Sequence, residues 1–394
     1  MDRVPSNSPR CFPKSGFVKL DSREKVEEEE VPLYDPHNFY PVYIGEVLAS
    51  RYQVVSKLGY GTSSTVWLCR DLQGNGYFTV KVCIRGQCPQ RELAISHHLE
   101  KSDSHPGKYL VRLVLDSFEI TGPYGTHFCL VYQPLGMSFT DFRKSLPGNK
   151  FPKDLAQRSI QLLLISLAFM HDNGVIHTDI SSNNICQGIM DSNILSQIEQ
   201  DEIMQPIPRK VLDDRSIYYS RPIPVCASSP VISDLGEARI GKGKHEGDIM
   251  PGIYRAPEVI LDMGWDCKVD IWSTGTMLWD LLQDSHLCFA RRKGLLDDEQ
   301  HLAEMVSLMG PPPPEFLRRS ERSRQFWDEQ GNWKGSIPIP EQSLEMRERQ
   351  LSGIDRELFL NFLRRIFRWL PEERPTAEEL AYDDFLMQPI MTSA

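Results

Sequence analysis

From Arg51 onward, apolar positions come in short β-branched runs broken by glycine. "RYQVVSKLGYG" and "STVWLCRD" flank one such glycine turn and predict a hairpin. "YFTVKVCI" predicts a further strand from about Tyr77 to Ile84. The spacing turns helical in "QRELAISHHLE" (Gln90 to Glu100), and "THFCLVYQPLG" returns to strand before a break at Pro134 and Gly136. Beyond Gly136 the pattern is mostly helical. "DLAQRSIQLLLISLAFMH" predicts a helix that starts at a capping Asp154 and ends near Gly174. "KVDIWSTGTMLWDLLQ", "DDEQHLAEMVSLMG" and "RELFLNFLRRIFRWL" predict three more, with "GPPPPEF" as a rigid turn between helices. A small strand-rich lobe therefore precedes a larger helical one, an α+β arrangement.

The first 32 residues or so are polar and include "EKVEEEEV" (Glu24 to Val31), whose charge run reads as a solvated tail or a frayed helix. At 394 residues the chain exceeds the usual single compact domain. The longest apolar stretch, "LLLISLAFM", falls well short of the roughly 20 residues that span a bilayer, so no membrane span is expected. A net charge of -10 disfavours nonspecific nucleic-acid binding and suits a basic partner. The nine cysteines are scattered without a CxxC pair, which points away from a disulfide framework or zinc site and toward a reducing compartment. Arg3, Arg10, Lys14 and Lys19 stand among serines and prolines with no apolar core, against a secretory signal; a transit peptide stays open.

Candidate chemistry follows the strands. "LGYGTSSTVWL" has the form G-x-G-x-x-[G/S]-x-V between two strands, with Ser64 where a third glycine is expected. Gly59 and Gly61 let the backbone approach a phosphate and offer it N–H donors. The cradle would run through Leu58, Gly59, Tyr60, Gly61, Thr62, Ser63, Ser64, Thr65 and Val66. On its own such a glycine-rich hairpin is more often just a turn. Lys81 lies on the next strand, and Glu92 on the following helix can pair with it and fix its ammonium on phosphates. Taken singly, these two residues are also an edge charge and a solvent-facing acid. "VIHTDISSNN" places Asp179 five residues before Asn184, a spacing that suits a base and a metal ligand. "VISDLGEAR" places Asp234 before a turn, where a carboxylate suits a hard cation such as Mg²⁺. "IYRAPEVI", "KVDIWSTG" (with Asp270 and Trp272) and Arg374 complete the series, and Glu258 and Arg374 are an expected buried pair.

In this order, over some 320 residues, the motifs resemble those of a eukaryotic protein kinase, from about residue 45 to 389. "GYGTSSTVWLCRD", "HTD" in place of HRD and "DLG" in place of DFG are similar to the SR-protein kinase family. "PVCASSPVISDLGEAR", "GDIMPGIYRAPEVIL" and "GPPPPEF" resemble its fungal type. The resemblance implies a bilobal kinase fold with an extension over residues 1–44, a small lobe over 45–134, a large lobe over 135–389 and a short tail. It implies ATP and Mg²⁺ as cofactors, Asp179 as base, Lys81 and Glu92 as the phosphate clamp, and Asn184 and Asp234 as metal ligands. Tyr132 would be the gatekeeper and Gln133 to Leu135 the adenine-facing hinge. With Thr178 in place of arginine, activation by loop phosphorylation is not expected. Substrates would be serines of basic, Arg/Ser-rich proteins, met by a monomer in cytoplasm or nucleus, with no nucleic acid or membrane as direct partner.

Fifty positions separate Asn184 from Asp234, and the insertion they enclose, about 187–230, holds Ile217, Tyr218, Tyr219 and Ile223. It is expected to pack on the lobe surface, the alternative being a tolerated loop. One residue departs from the family pattern. Ser181 stands where D-x-K-x-x-N carries a lysine that contacts the γ-phosphate. Loss of one preorganised donor costs about 10²–10³ in rate, roughly 3–4 kcal/mol. Lys242 or Lys244 is a candidate to supply that charge from elsewhere. The alternative function is a pseudokinase, a nucleotide-binding scaffold or weakly active enzyme.

Overall fold

The β-branched runs on either side of the glycine turn do form the expected hairpin, within a computed structural model that describes residues 8–74, 76–226 and 228–391. Val47–Leu48 (β1), Tyr52–Tyr60 (β2), Ser64–Asp71 (β3), Tyr77–Cys83 (β4), Asp116–Gly122 (β5) and Gly125–Tyr132 (β6) form one sheet in the order β1-β2-β3-β4-β6-β5. Every neighbouring pair is antiparallel. The predicted helix Gln90–Glu100 is present with those bounds.

Both faces of this sheet are covered at β2 and β3, which are buried along most of their length. Adjacent residues of β2 point to opposite sides. Val54 packs with Val80, Cys129 and Val131, whereas Val55 packs with Leu68, Leu195, Ile198 and Ile223. The last three belong to the insertion, which folds as a helix, Asn193–Met204, and a ladder of Arg209–Val211 with Ser216–Tyr218. Ile217, Tyr218 and Ile223 are buried as anticipated, while Tyr219 stays exposed. Gln187–Ser228 therefore belongs to the compact unit that contains Met1–Glu100 and Arg112–Met137. This division differs from the expected one, which placed the insertion in the larger, helical lobe.

The acidic run near the N-terminus also departs from expectation. Glu27–Glu30 forms a 3-10 turn in which Glu28 is only 7% exposed, so the segment is not a solvated tail. Buried Lys57 and Lys210 need counter-charges, and Glu27, Glu28 and Glu29 supply them. Residues 1–7 of the extension and 392–394 of the tail lie outside the described residues.

The second unit comprises Lys101–Val111, Ser138–Cys186 and Ser229–Ala394 and is mainly helical. Helix Lys268–Leu282 is buried at every residue from Val269 on, its two aspartates and its Ser and Thr residues included, and packs on helices Lys153–Asp172 and Gly353–Ile366. The long helix Lys153–Asp172 starts behind Pro152 without a side-chain cap. Asp154 lies in its first turn, where a carboxylate complements the helix dipole rather than capping. Asp298–Met309 is capped by Asp297 and stops at Gly310. Part of "GPPPPEF" is helical: Pro314 is tolerated at the first position of the short helix Pro314–Leu317, where no N–H is needed. Glu258 and Arg374 form the expected pair, two-pronged at 2.6 and 2.7 Å and fully buried, with the guanidinium against Trp272. Among the described residues no helix is long and apolar enough to cross a membrane.

Candidate active site

In the first unit the glycine loop joins β2 to β3. The Gly61 N–H donates to the Ser64 carbonyl at 2.9 Å and closes the turn, and Gly59 faces Val66 across the ladder. Neither glycine has a positive φ, so conformation does not demand them. A Cβ built on Gly59 or Gly61 would meet no protein atom within 4 Å, so the space beside this backbone is open. Of the expected cradle, Tyr60 and Thr62 are exposed, Leu58, Ser63 and Val66 are partly buried, and Ser64 and Thr65 are buried.

On β4, Lys81 lies opposite Val66 on one side and Leu130 on the other. Its ammonium reaches Glu92 Oε2 at 3.1 Å, bringing strand lysine and helix acid together as the spacing anticipated. Tyr132 was expected as the gatekeeper, but its contact with this pair was not. Tyr132, at the end of β6, donates its hydroxyl to Oε1 of the same Glu92 carboxylate. Its ring packs with Val114, Leu130 and Leu93, and the Arg112 guanidinium lies 4.6 Å from the ring centre. Of the expected hinge residues, Gln133 is exposed and lends its carbonyl to Arg112 at 3.0 Å, and Leu135 is partly buried.

In the second unit, Asp179 and Asn184 lie on one loop between the short strands Val175–Ile176 and Ile185–Gln187. The Asn184 amide nitrogen donates to the Asp179 carboxylate at 2.7 Å and to its backbone carbonyl at 2.8 Å. With the nitrogen so used, the Asn184 side-chain oxygen has no protein partner among the described residues, an arrangement that fits a hard cation. Burial pushes the Asp179 carboxyl above the usual carboxylate range. His177 and the Asn184 bond pull it back, and the charges of Asp234 and Glu237 push it up further.

The loop is held in a strained shape. Thr178 has φ 70°, in the left-handed region that a β-branched residue avoids, and Asp234 has φ 64°. The buried Asp270 carboxylate accepts from the backbone N–H groups of His177 and Thr178, each at 2.8 Å, and lies 2.9 Å from His171 Nε2. His177 Nδ1 accepts from the Asp179 N–H at 3.2 Å, and its Nε2 lies 3.1 Å from the Ser233 carbonyl next to Asp234. Thr178 donates its hydroxyl to the Glu237 carbonyl at 2.9 Å, tying this loop to the segment after Asp234. The sequence marked Asp270 as part of a motif without a role. Its signal was an acid at the start of a helix rich in Ile, Leu, Met and Trp, which has to find donors once buried.

Ser181 is 8% exposed and its carbonyl accepts from the Asn184 N–H at 3.0 Å. Lys244, one of the two proposed substitutes for the missing lysine, is engaged by Asp266 at 2.7 Å. The stem of Lys242 lies beside Gly174.

Residues 227–386 match the family model of the protein kinase domain. A serine/threonine protein kinase of Aspergillus fumigatus is 44% identical over 98% of this chain and 97% of its own length. The serine/threonine-protein kinase SRPK of Physarum polycephalum is 28% identical, with 90% of each chain covered. AFC2, a serine/threonine-protein kinase of Arabidopsis thaliana, is 29% identical over 88% of this chain and 79% of its own. A crystal structure of a kinase domain superposes with a TM-score of 0.69 at 23% identity, covering 89% of this chain and all of that one, and shows the same fold. The chain belongs to the serine/threonine protein kinases, with SRPK-like relatives.

Proposed function

We propose that this kinase transfers the γ-phosphate of ATP to serines of Arg/Ser-rich proteins. The observation that carries the chemistry is the Asp179–Asn184 contact at 2.7 Å, which holds a partly buried carboxylate beside an amide oxygen left for a cation. Asp179, ionised, orients the substrate hydroxyl and accepts its proton as the hydroxyl oxygen attacks. Lys81, steadied by Glu92, holds the phosphates, and the open backbone at Gly59 and Gly61 takes them at close range. Asn184 and Asp234, both oxygen donors, would hold Mg²⁺, which neutralises charge on the phosphates when bound.

Two observations support a basic substrate: the net charge of -10, and the relative that bears the name SRPK. Thr178, bonded to the Glu237 carbonyl, does without a phosphorylated partner and supports activity without loop phosphorylation. One observation favours a second reading, a slow enzyme or a nucleotide-binding scaffold: Ser181 is neutral where the transferring phosphate would meet a lysine.

The test is phosphate transfer from Mg-ATP to an Arg-Ser repeat peptide and to the same peptide with glutamate for arginine. The proposal expects transfer to the basic peptide, abolished by Asp179→Asn. Equal transfer to both peptides would overturn the substrate class, and transfer that survives Asp179→Asn would overturn the assignment of the base.

A further inference from the structure

Two residues before Gly59, β2 carries a lysine whose side chain is 0% exposed. A lysine ammonium is costly to bury unless every donor finds a partner. The Lys57 ammonium contacts Glu28, lies 3.1 Å from Glu27 Oε2 and donates to the Tyr218 carbonyl at 3.1 Å. It also sits 5.0 Å from the ring centre of Tyr60, the residue between the two loop glycines.

The acids are themselves fixed. Glu27 accepts from the Ser220 N–H at 2.9 Å and from its hydroxyl at 2.7 Å. Glu29 accepts from Lys210 at 2.9 and 2.7 Å and from the Val26 N–H at 2.9 Å. The Arg221 N–H donates to the Lys57 carbonyl at 2.9 Å. The N-terminal turn and the insertion thus converge on one side chain of the glycine strand.

The ladder beneath that side chain is irregular. The β2–β3 register shifts between Lys57 and Gly59, so the pairing that would hold the start of the loop is interrupted there. The side chain of Lys57 supplies an anchor at that point, and its ammonium also meets the ring of Tyr60, which is 39% exposed at the loop.

We propose that Glu27 and Glu28, acting through Lys57, are positioning residues for the glycine loop, so that the N-terminal acidic turn sets the affinity for the nucleoside triphosphate. This rests on the reading that Gly59 and Gly61 take the phosphates of ATP. None of the three side chains is a catalytic residue. Their effect belongs in KM for ATP, not in proton transfer or in peptide binding.

The test uses full-length Lys57→Met, the double variant Glu27→Gln/Glu28→Gln, and the triple variant that combines them. KM for Mg-ATP, KM for the peptide, kcat and thermal midpoint are measured for each. The inference expects KM for ATP to rise about tenfold in Lys57→Met and in the double variant, with kcat and peptide KM within about twofold. The triple variant has no uncompensated charge and regains thermal stability, yet keeps the raised KM for ATP because the anchor is gone. If Lys57→Met does not fold, the double and triple variants decide. A triple variant with the parent's KM for ATP would overturn the inference, leaving the cluster a purely structural ion pair. Normal Mg-ATP binding by the parent with unchanged KM in every variant defeats this inference alone. A parent that binds no Mg-ATP defeats the phosphate-loop reading and this inference with it.

Discussion

Tyr132 donates its hydroxyl hydrogen to Glu92, on the carboxylate oxygen opposite the one that receives Lys81. Both partners are buried, so the helix acid is held from two sides. Removing that donor in Tyr132→Phe leaves a carboxylate oxygen short of a partner. A hydrogen bond to a charged group contributes about 1.5–3 kcal/mol, and the variant is expected to lose that much in urea unfolding. Unchanged stability would contradict the contact.

Asp179 predicts opposite effects on activity and stability. Its folded-state carboxyl titrates above the usual range, chiefly through burial, so the native state holds the proton more tightly than the unfolded chain does. Stability is then highest below the ordinary carboxylate pKa and falls as pH rises through the raised one. Asp179→Asn removes that penalty. The variant is expected to be inactive yet more stable than the parent at pH 7, with the difference vanishing in acid. Thermal unfolding across pH checks this, and a less stable variant at pH 7 would oppose it.

Asp270 holds the strained loop. Asp270→Ala strips the acceptor from two backbone N–H groups, each costing about 1–3 kcal/mol when left buried and unpaired. Thr178 at φ 70° is then free to relax, moving Asp179. The expected outcome is a fall in kcat of about 10²-fold or more with KM for ATP nearly unchanged. A larger effect on KM than on kcat would contradict this role.

Glu258 and Arg374 test the cost of an uncompensated buried charge. Arg374→Ala is expected to destabilise by about 3–5 kcal/mol, whereas Glu258→Leu combined with Arg374→Met loses far less. Denaturant midpoints of the three proteins decide it, and equal losses in both variants would contradict the electrostatic explanation.

The elements set by local pattern were legible in the chain. Gln90–Glu100 and Lys268–Leu282 follow from their periodicity, and the order of Lys81, Glu92, Asp179, Asn184 and Asp234 carried the kinase resemblance. What escaped depends on distant partners. Glu24 to Val31 looks like a solvated charge run because its counter-charge Lys57 lies 29 positions from Glu28, and Lys210 lies 181 positions from Glu29. The place of the insertion was likewise hidden, since Leu195 and Ile223 find Val55 only through the fold. Asp154 met the rule for a cap, but the N-cap is Pro152, two residues earlier, and the helix begins at Lys153. The Tyr132–Glu92 bond needs the registry of β6 against β4, which periodicity alone does not fix.

The central claim, a catalytic phosphoryl transfer carried by Asp179 despite Ser181, is tested by single-turnover transfer from Mg-ATP in the parent, Asp179→Asn and Ser181→Lys. Transfer is expected from the parent and none from Asp179→Asn, with Ser181→Lys faster by up to about 10²-fold because a preorganised cation is restored. A parent that gains thermal stability from Mg-ATP but transfers no phosphate would contradict the account.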